Sequence, residues 1–502
     1  MKSVLITNLY FAKYTGSELH TLEIGRLFQK KGYDVTIAVF QKAYPLLEQA
    51  GSMTIVDCLN EELDKKYYDI IFVQHYPVFD FLFSKYKISY DKIVVSKLSV
   101  INDLEYLPVC TSKADMILCV SDECAEQVYK EIGHDKRVKV FKNSISAEWF
   151  EHGITFDRNR QLKKIAIISN HVPKELVEFS TVMGPEYEID YVGAEYMPKL
   201  VDAELLKEYD LIITIGRTVQ LCFALKVPVY VYDYFGGPGY IDEGNFKTAE
   251  FHNFSGRGGF ERKTAEEIKV DIVANYKSNL ERLDGFFEIA KDEYNYDKNF
   301  EEIFIDLMKE ENEEKTISTF FSEEESLRMM TYCRAIVAHR LPQSIISQLY
   351  IDYGEGFLEE ESIKWSVSDN YIISKTYKFD KSIKKFRFDP CNVPAECYIY
   401  EVKVNGRIKP ECCMQTKRFL HYDPQFVFEL SEEEQKSGVI NLEINYRFRA
   451  ENLREASMLM YDKVLELESE NLALQNNVEI IREYYKLTPK NIAKRILGVF
   501  KR

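Results

Sequence analysis

The feature that most constrains this chain is an alternation of short, nearly continuous apolar runs with amphipathic stretches. The apolar runs of the first round are "KSVLITNLY", "DVTIAVF", "DIIFVQHY", "KIVVSKL", "ADMILCVS" and "RVKVFKN", and the stretches between them include "ELHTLEIGRLFQKKG" and "DECAEQVYKEIG". Strands that are apolar on both faces and alternate with helices are typical of a parallel sheet covered by helices on both sides. The sequence therefore predicts a Rossmann-like α/β domain over residues 1–150.

The same alternation then begins a second time. The polar stretch "WFEHGITFDRNRQLK" interrupts it, and the apolar runs "KIAIISN", "EIDYVG", "DLIITIG" and "VPVYVYD" resume it. We therefore expect a second Rossmann-like domain over residues 160–345. Because ligands of such sheets bind at the carboxyl ends of the strands, two domains in tandem predict a ligand site in the cleft that they face.

The pattern changes from about residue 350. Runs such as "IKWSVSDNYIISKTYKFD", "AECYIYEVKVNG" and "GVINLEINYRFRA" alternate or are rich in β-formers, with turns between them. This pattern predicts an antiparallel β-sandwich-like accessory domain over residues 350–450.

Two helical segments follow the accessory domain. Residues 453–485 repeat apolar side chains every seven positions, with Asn471 in the second seam. This pattern predicts either a coiled coil that makes a homodimer or a single helix packed on its own chain. Residues 486–502 form a basic amphipathic tail, suited either to an anionic membrane surface or to solvent.

Composition limits the function classes. The 502 residues are 46% hydrophobic and carry a formal charge of -16, which disfavours nucleic acid as the main partner. No apolar run is long enough to span a bilayer, and "MKSVLITNLYF" is typical of a buried strand rather than a signal peptide. The ten cysteines are typical of reduced thiols, and the C-terminal ones lack zinc-ligand spacing. We therefore expect a cytoplasmic protein, peripheral at most on the inner face of the cell membrane, with no zinc site among these cysteines and no cofactor.

Candidate site residues follow strands. In the first domain, Gly16 and Ser17 precede a helix whose amides favour anions, although an ordinary tight turn explains them equally well. His75 ends "DIIFVQHY" and is a candidate catalytic or substrate contact, or a structural histidine. In the second domain, glycine amides and basic side chains predict a pocket for a diphosphate. Its candidate members are Asn170, His171, Lys174, Arg217, Gly236, Gly237, Gly239 and Arg257.

Residues 1 to about 320 resemble GT-B glycosyltransferases, especially retaining ones that build bacterial surface polysaccharides. The resemblance lies in "GSELHTLEIGRLFQKKGYDVTI", "ADMILCVSDECAEQVYKEIG" and "YDLIITIGRTVQLCFALKVPVYVYDYFGGPGYI". It implies a nucleotide-sugar donor bound by the second domain, an acceptor presented by the first, and no metal. By position, Lys174 matches a donor-phosphate residue, Gly16 matches the acceptor-side glycine loop, and His75 lies near a strand-end histidine.

One departure from the family pattern bears on activity. Gln220 stands where the family has a glutamate that binds the ribose, and the upstream glutamate has no match. Two functions stay open. One is a metal-independent glycosyltransferase acting on a growing bacterial surface glycan, either a polysaccharide or a glycoprotein, with a lipid-linked acceptor as one alternative. The other is a non-catalytic GT-B-like glycan-binding or scaffolding subunit of a polysaccharide assembly complex. A dehydrogenase is disfavoured because the GxGxxG fingerprint is absent.

Overall fold

The computed structural model describes most of the first 450 residues. The described residues are 2–143, 145–151, 160–193, 196, 199–309, 315–316, 320–322, 325–326, 329–330, 333, 345–380, 382–419, 424–435 and 438–450. The chain divides into two compact units. The first comprises Met1–Ser344 and Trp365–Ile373, and the second comprises Ile345–Lys364 and the chain from Ser374 onward.

The first unit begins with a parallel sheet flanked by helices. Its strands are β1 (Ser3–Thr7), β2 (Tyr10–Phe11), β3 (Asp34–Val39), β4 (Gln41–Lys42), β5 (Thr54–Asp57), β6 (Tyr67–Val73), β7 (Ser89–Lys97), β8 (Met116–Cys119) and β9 (Val138–Val140), and its helices are α1 (Gly16–Lys30), α2 (Tyr76–Lys85) and α3 (Asp122–Ile132). The next helix, α4 (Ala147–Glu151), packs Trp149 and Phe150 against the core of the second half of the unit. Seven strands run parallel in the order β5-β3-β1-β6-β7-β8-β9, and β2 pairs with β4 apart from them. Every residue of β1 is buried because apolar clusters cover both faces of the sheet.

The second half of this unit repeats the architecture. Its elements are β10 (Lys164–Ile168), α5 (Lys174–Met183), β11 (Glu188–Val192), α6 (Ala203–Lys207), β12 (Leu211–Thr214), α7 (Arg217–Leu225), β13 (Val229–Asp233), β14 (Gly236–Tyr240), α8 (Phe246–Phe251), α9 (Ala265–Glu293) and α10 (Tyr296–Met308). The strand order is β11-β10-β12-β13-β14, parallel except for β14. Helix α9 begins with a capping box between Thr264 and Glu267, which satisfies amides that the first turn leaves open.

The chain returns to the first sheet after α9. Phe300 and Leu307 of α10 belong to the apolar cluster on one face of that sheet, and β15 (Lys315–Thr316) pairs antiparallel with β7. The sequence pattern placed residues 160–345 in one domain, whereas α10 packs with the first sheet because its apolar face completes that core.

The second unit is built from antiparallel sheets. Its elements are β16 (Ile345–Asp352), β17 (Ser362–Val367), β18 (Ile373–Phe379), β19 (Lys385–Asp389), β20 (Ala395–Val404), β21 (Arg407–Ile408), β22 (Gln415–Phe419), β23 (Phe426–Glu429), α11 (Glu432–Gln435) and β24 (Ile440–Ala450). The end of β17 from Trp365 and the first residue of β18 are counted with the first unit. One sheet has the order β17-β16-β19-β23, and the other has β18-β24-β20-β21 with β22 on β20. Phe388 of β19 and Tyr446 of β24 meet with ring centroids 4.7 Å apart, so the two sheets face each other across an aromatic core.

The structure thus contains two successive Rossmann-like parallel sheets, followed by antiparallel sheets. The predicted coiled coil over 453–485 and the basic tail over 486–502 lie outside the described residues. No helix within the described part of the chain combines the length and the apolar character that crossing a bilayer requires.

Candidate functional site

A cavity of about 400 Å³ opens at the carboxyl edge of the second parallel sheet. It is lined by the last residue of each of the four parallel strands: Ile168, Val192, Thr214 and Asp233. The chain leaves β10 toward β11 on one side and returns to β12 on the other, so β10 and β12 form a topological switch point. Open α/β sheets bind their ligands at such a point, because the connections diverge there and leave a crevice.

The N-terminus of α7 contributes the floor of this cavity. Gly216 is the N-cap with φ 62°, and because it has no side chain it accepts no capping bond from the first turn. Arg217 and Thr218, the first two helical residues, both line the cavity. Unpaired amides at a helix N-terminus, together with a guanidinium, favour an anionic group.

A second close approach shapes the cavity wall. A Cβ atom on Gly193 would lie 1.8 Å from the carbonyl oxygen of Ser169, so only glycine lets the loop after β11 pass the loop after β10. Asn170, His171 and the exposed Lys199 line the same wall. The wall therefore brings polar and basic side chains toward the N-terminus of α7.

Asp233 is the one carboxylate among the described residues that line the cavity. It is 6% exposed, and Ser169 Oγ donates to its two oxygens at 3.1 and 2.9 Å. Burial raises the pKa of Asp233 to about 6, although the bond from Ser169 opposes this shift. A carboxyl group that is buried at a strand end and titrates near neutral pH is typical of a binding or catalytic site.

Arg217 joins the two halves of the first unit. Its Nη2 atom donates to Oε1 of Glu23 on α1, and both side chains are about four-fifths buried. The Nε atom of Arg217 is buried and has no hydrogen-bond partner within the described structure. Burial, and then the charge of Arg217, lower the pKa of nearby His20 to about 3, so this histidine is neutral.

The loop after β1 forms the opposite wall, where Tyr14, Gly16 and Leu19 line the cavity. Glu18 holds this loop in place. Its Oε1 accepts the amides of Ala12 and Lys13 at 2.7 and 2.9 Å, and its Oε2 accepts the hydroxyl of Thr15. Burial raises the pKa of Glu18, although these hydrogen bonds oppose the shift.

Four of the residues predicted from the sequence meet at the cavity: Gly16, Asn170, His171 and Arg217. The other predicted residues are absent from its described lining, and the first two of them are Lys174 and Ser17. Lys174 is 86% exposed at the start of α5 and pairs with Glu178 at 3.2 Å. Ser17 lies in the first turn of α1, where its carbonyl oxygen accepts a bond from Gln74 Nε2 at 3.1 Å. Their roles in donor binding stay predictions.

Gln220 is 2% exposed inside α7, and its Oε1 atom has no hydrogen-bond partner within the described structure. It is absent from the described lining of the cavity. The ribose role that the resemblance implies for this position therefore stays a prediction.

His75 is buried behind the loop after β1. It caps α2 with φ 53°, its Nδ1 atom accepts the amide of Leu9 at 3.2 Å, and its Nε2 atom lies 3.3 Å from Oε1 of Glu105. Although it lies close to Glu105, Nε2 makes no hydrogen bond within the described structure. These contacts give His75 a structural task, and its catalytic role stays a prediction.

The glycines after β13 form a strand. Gly236, Gly237 and Gly239 belong to β14, which turns back antiparallel on β13. A Cβ on Gly237 would lie 2.0 Å from the carbonyl oxygen of Val231, so close packing of the two strands requires this glycine. The three glycines are absent from the described lining of the cavity, and their predicted phosphate contacts stay predictions.

Arg257 also contacts the first half of the unit. Its Nε and Nη2 atoms lie 3.2 and 2.5 Å from the two oxygens of Glu123 on α3, and Nδ1 of His252 lies 2.9 Å from the same carboxylate. Burial would raise the pKa of Glu123, but the bonds from Arg257 and His252 hold it below its ordinary value. The predicted contact of Arg257 with a diphosphate stays a prediction.

Sequence reasoning missed Tyr14, Thr218 and Asp233 as cavity residues. Asp233 carried a usable signal, because it is the acid that ends the apolar run "VPVYVYD". Within the described residues, no cluster of three or more histidine, cysteine, aspartate or glutamate side chains could hold a metal ion.

The chain matches no protein-family model, and no curated protein matches it. Several solved structures are similar in part. HepE of Anabaena, in complex with UDP and glucose, is 13% identical with a TM-score of 0.44, over 61% of this chain and 99% of HepE. A glycosyltransferase from Rickettsia africae is 12% identical with a TM-score of 0.42, over 62% of this chain and 100% of that one. WaaG, a glycosyltransferase involved in lipopolysaccharide biosynthesis, is 9% identical with a TM-score of 0.42, over 61% and 100% of the two chains.

Proposed function

We propose that this chain is a glycosyltransferase that transfers a sugar from a nucleotide-sugar donor to a growing bacterial surface glycan, with retention of configuration and without a metal. The observation that carries the proposal is the cavity at the switch point of the second sheet, with the N-terminus of α7 and Arg217 in its wall. A nucleoside diphosphate is the leaving group of this reaction, and its developing negative charge needs fixed hydrogen-bond donors.

The cavity also suits the nucleoside and the sugar of such a donor. Its volume of about 400 Å³ lies within the range of about 300–1,000 Å³ that small-molecule sites span. Apolar side chains of Leu19, Val201 and Leu221 line part of it, and polar groups converge elsewhere. This division fits a ligand with an apolar face and an anionic end.

Asp233 offers a second role in donor binding. Its carboxylate lines the cavity and is held by Ser169, so it is placed to accept a bond from a hydroxyl of the nucleotide sugar. Asp233, at the end of β13, would then take the part of the glutamate that the resembling family has at position 220. The absence of a glutamate at position 220 is then compatible with catalysis.

Calorimetric titration with UDP, GDP and dTDP tests donor binding. We expect at least one of them to bind, and Arg217→Ala to weaken that binding about 10- to 100-fold, because a hydrogen bond to a charged group contributes about 1.5–3 kcal/mol. Arg282→Ala, an exposed arginine on α9, is the matched control and should bind as the wild type does. Lys174→Ala tests the second candidate phosphate contact: it should weaken nucleotide binding if Lys174 contacts the phosphates, and leave it unchanged if Arg217 alone does. No binding of any nucleotide to the folded wild type would refute the proposal.

The second candidate function is a non-catalytic GT-B-like subunit that binds glycan or scaffolds a polysaccharide assembly complex. The observation that favours it is Gln220, which is buried in α7 where the resembling family has an acid. This candidate predicts that a nucleotide binds, if at all, without breakdown of any nucleotide sugar. The assay that closes the Discussion separates the two.

A further inference from the structure

We propose that Tyr234 and Phe235, with the two Arg–Glu pairs beside them, form a platform that binds a neutral saccharide ring. In the proposed function, on which this assignment rests, that ring belongs to the acceptor glycan. We call these two aromatic residues and the pairs Arg257–Glu123 and Arg262–Glu175 the aromatic platform.

The two rings are exposed beside the cavity. Tyr234 is 61% exposed and Phe235 is 38% exposed, and their ring centroids lie 5.3 Å apart at 85°. They directly follow Asp233, whose carboxylate lines the cavity. Adjacent exposed aromatic rings present apolar faces that the C–H face of a pyranose can cover.

Each ring has an arginine beside it. The guanidinium carbon of Arg257 lies 5.7 Å from the centroid of Phe235, and that of Arg262 lies 6.0 Å from the centroid of Tyr234. Each guanidinium thus lies over one face of its ring and brings several hydrogen-bond donors to it, and the exposed fractions of both rings leave apolar surface open. An aromatic face bordered by fixed polar groups is the arrangement that a ring with hydroxyl groups at its rim requires.

Both arginines are already neutralised by a glutamate. Two nitrogens of Arg257 lie 3.2 and 2.5 Å from the carboxylate of Glu123, and two nitrogens of Arg262 lie within 3.0 Å of the carboxylate of Glu175. An anionic ligand would have to displace a glutamate from a bidentate pair, and a cationic ligand would have to displace an arginine.

The ligand that fits without displacing either partner is uncharged and carries both donors and acceptors. Hydroxyl groups do both, so a neutral saccharide matches the charge of the platform as well as its apolar faces. Glu123 belongs to α3, after the first sheet, whereas the rings follow β13 of the second. The platform therefore draws residues from both halves of the first unit, beside the cavity assigned to the donor.

The experiment uses the full chain on a glycan microarray of bacterial surface oligosaccharides, in the presence of UDP, GDP and dTDP. We expect the wild type to bind at least one neutral glycan. Tyr234→Ala and Phe235→Ala should each weaken binding by about two- to tenfold, the loss of an aromatic contact. Tyr67→Ala is the control, because Tyr67 is 39% exposed at the first residue of β6, at the edge of the sheet opposite to its carboxyl ends, and should bind as the wild type does.

Nucleotide calorimetry on the same preparations separates this inference from the proposed function. The Tyr234 and Phe235 variants should bind nucleotide as the wild type does. Glycan binding without any nucleotide binding would support the platform and refute the donor site. If no glycan binds to the wild type, or if the two variants bind glycans as the wild type does, the platform is refuted.

Discussion

Replacing Asp233 by Asn should stabilise the folded protein, and the gain should grow with pH. The carboxyl group of Asp233 is 6% exposed, and burial raises its pKa from 3.8 to about 6. The folded state therefore holds a proton on this group over a pH range in which the unfolded chain has released it. Asparagine keeps the shape and an oxygen that can accept the bond from Ser169 Oγ, but it carries no charge to desolvate.

The size of this gain in stability follows from the shift in the pKa of Asp233. A rise of about two pKa units corresponds to about 3 kcal/mol, since each unit is worth about 1.4 kcal/mol. Because the folded-state pKa is raised, the wild type loses this stability as pH rises from about 4 to about 6, and the loss is complete above that range. Asp233→Asn should therefore raise the free energy of unfolding by about 1 kcal/mol at pH 4.5 and by about 3 kcal/mol at pH 8.

Urea unfolding of the wild type and the variant at both pH values measures this difference. The transition to follow is that of the first unit, and Asp64→Asn, which replaces an exposed aspartate, controls for the change of net charge. An equal gain at the two pH values, or a loss at pH 8, would show that Asp233 is not held in a desolvated, protonatable state.

Three further variants probe other contacts. Glu23→Gln should strengthen nucleotide binding severalfold in calorimetry, because it releases Arg217 from its ion pair; unchanged or weaker binding would mean that Arg217 does not reach the ligand. Glu18→Ala should lower the free energy of unfolding by about 3 kcal/mol, because two backbone amides lose their acceptor, whereas a near-zero change would mean that water replaces the carboxylate. Asp80→Asn should stabilise the protein by about 4 kcal/mol at pH 8 and much less near pH 4. Burial raises the pKa of Asp80 to about 7, and a pH-independent effect would contradict that state.

The parallel sheets could be predicted because their strands are apolar on both faces. Runs such as β1 and β12 are buried along their whole length, so the sequence shows them directly as uninterrupted apolar segments. The position of α10 could not be predicted in this way. An amphipathic helix shows that it has an apolar face, but it does not show which of two similar sheets that face covers.

Candidate site residues were predictable where the backbone alone decides their position. Gly16, Asn170, His171 and Arg217 follow strand ends, and the parallel topology brings these ends to the cavity. Partners of charged side chains depend on contacts distant in sequence. Glu123, which binds Arg257, is 134 positions away, so an arginine predicted to bind phosphate is paired across the first unit.

The measurement that tests the central claim most directly is release of nucleoside diphosphate from nucleotide sugars. The purified protein is incubated with UDP-, GDP- and dTDP-linked sugars in the presence of EDTA, and the free nucleoside diphosphate is quantified with and without a bacterial oligosaccharide acceptor. We predict release from one donor, faster with acceptor, and its loss in Arg217→Ala but not in Arg282→Ala. Nucleotide binding without release from any donor, with or without acceptor, would contradict the enzymatic function and favour the non-catalytic subunit.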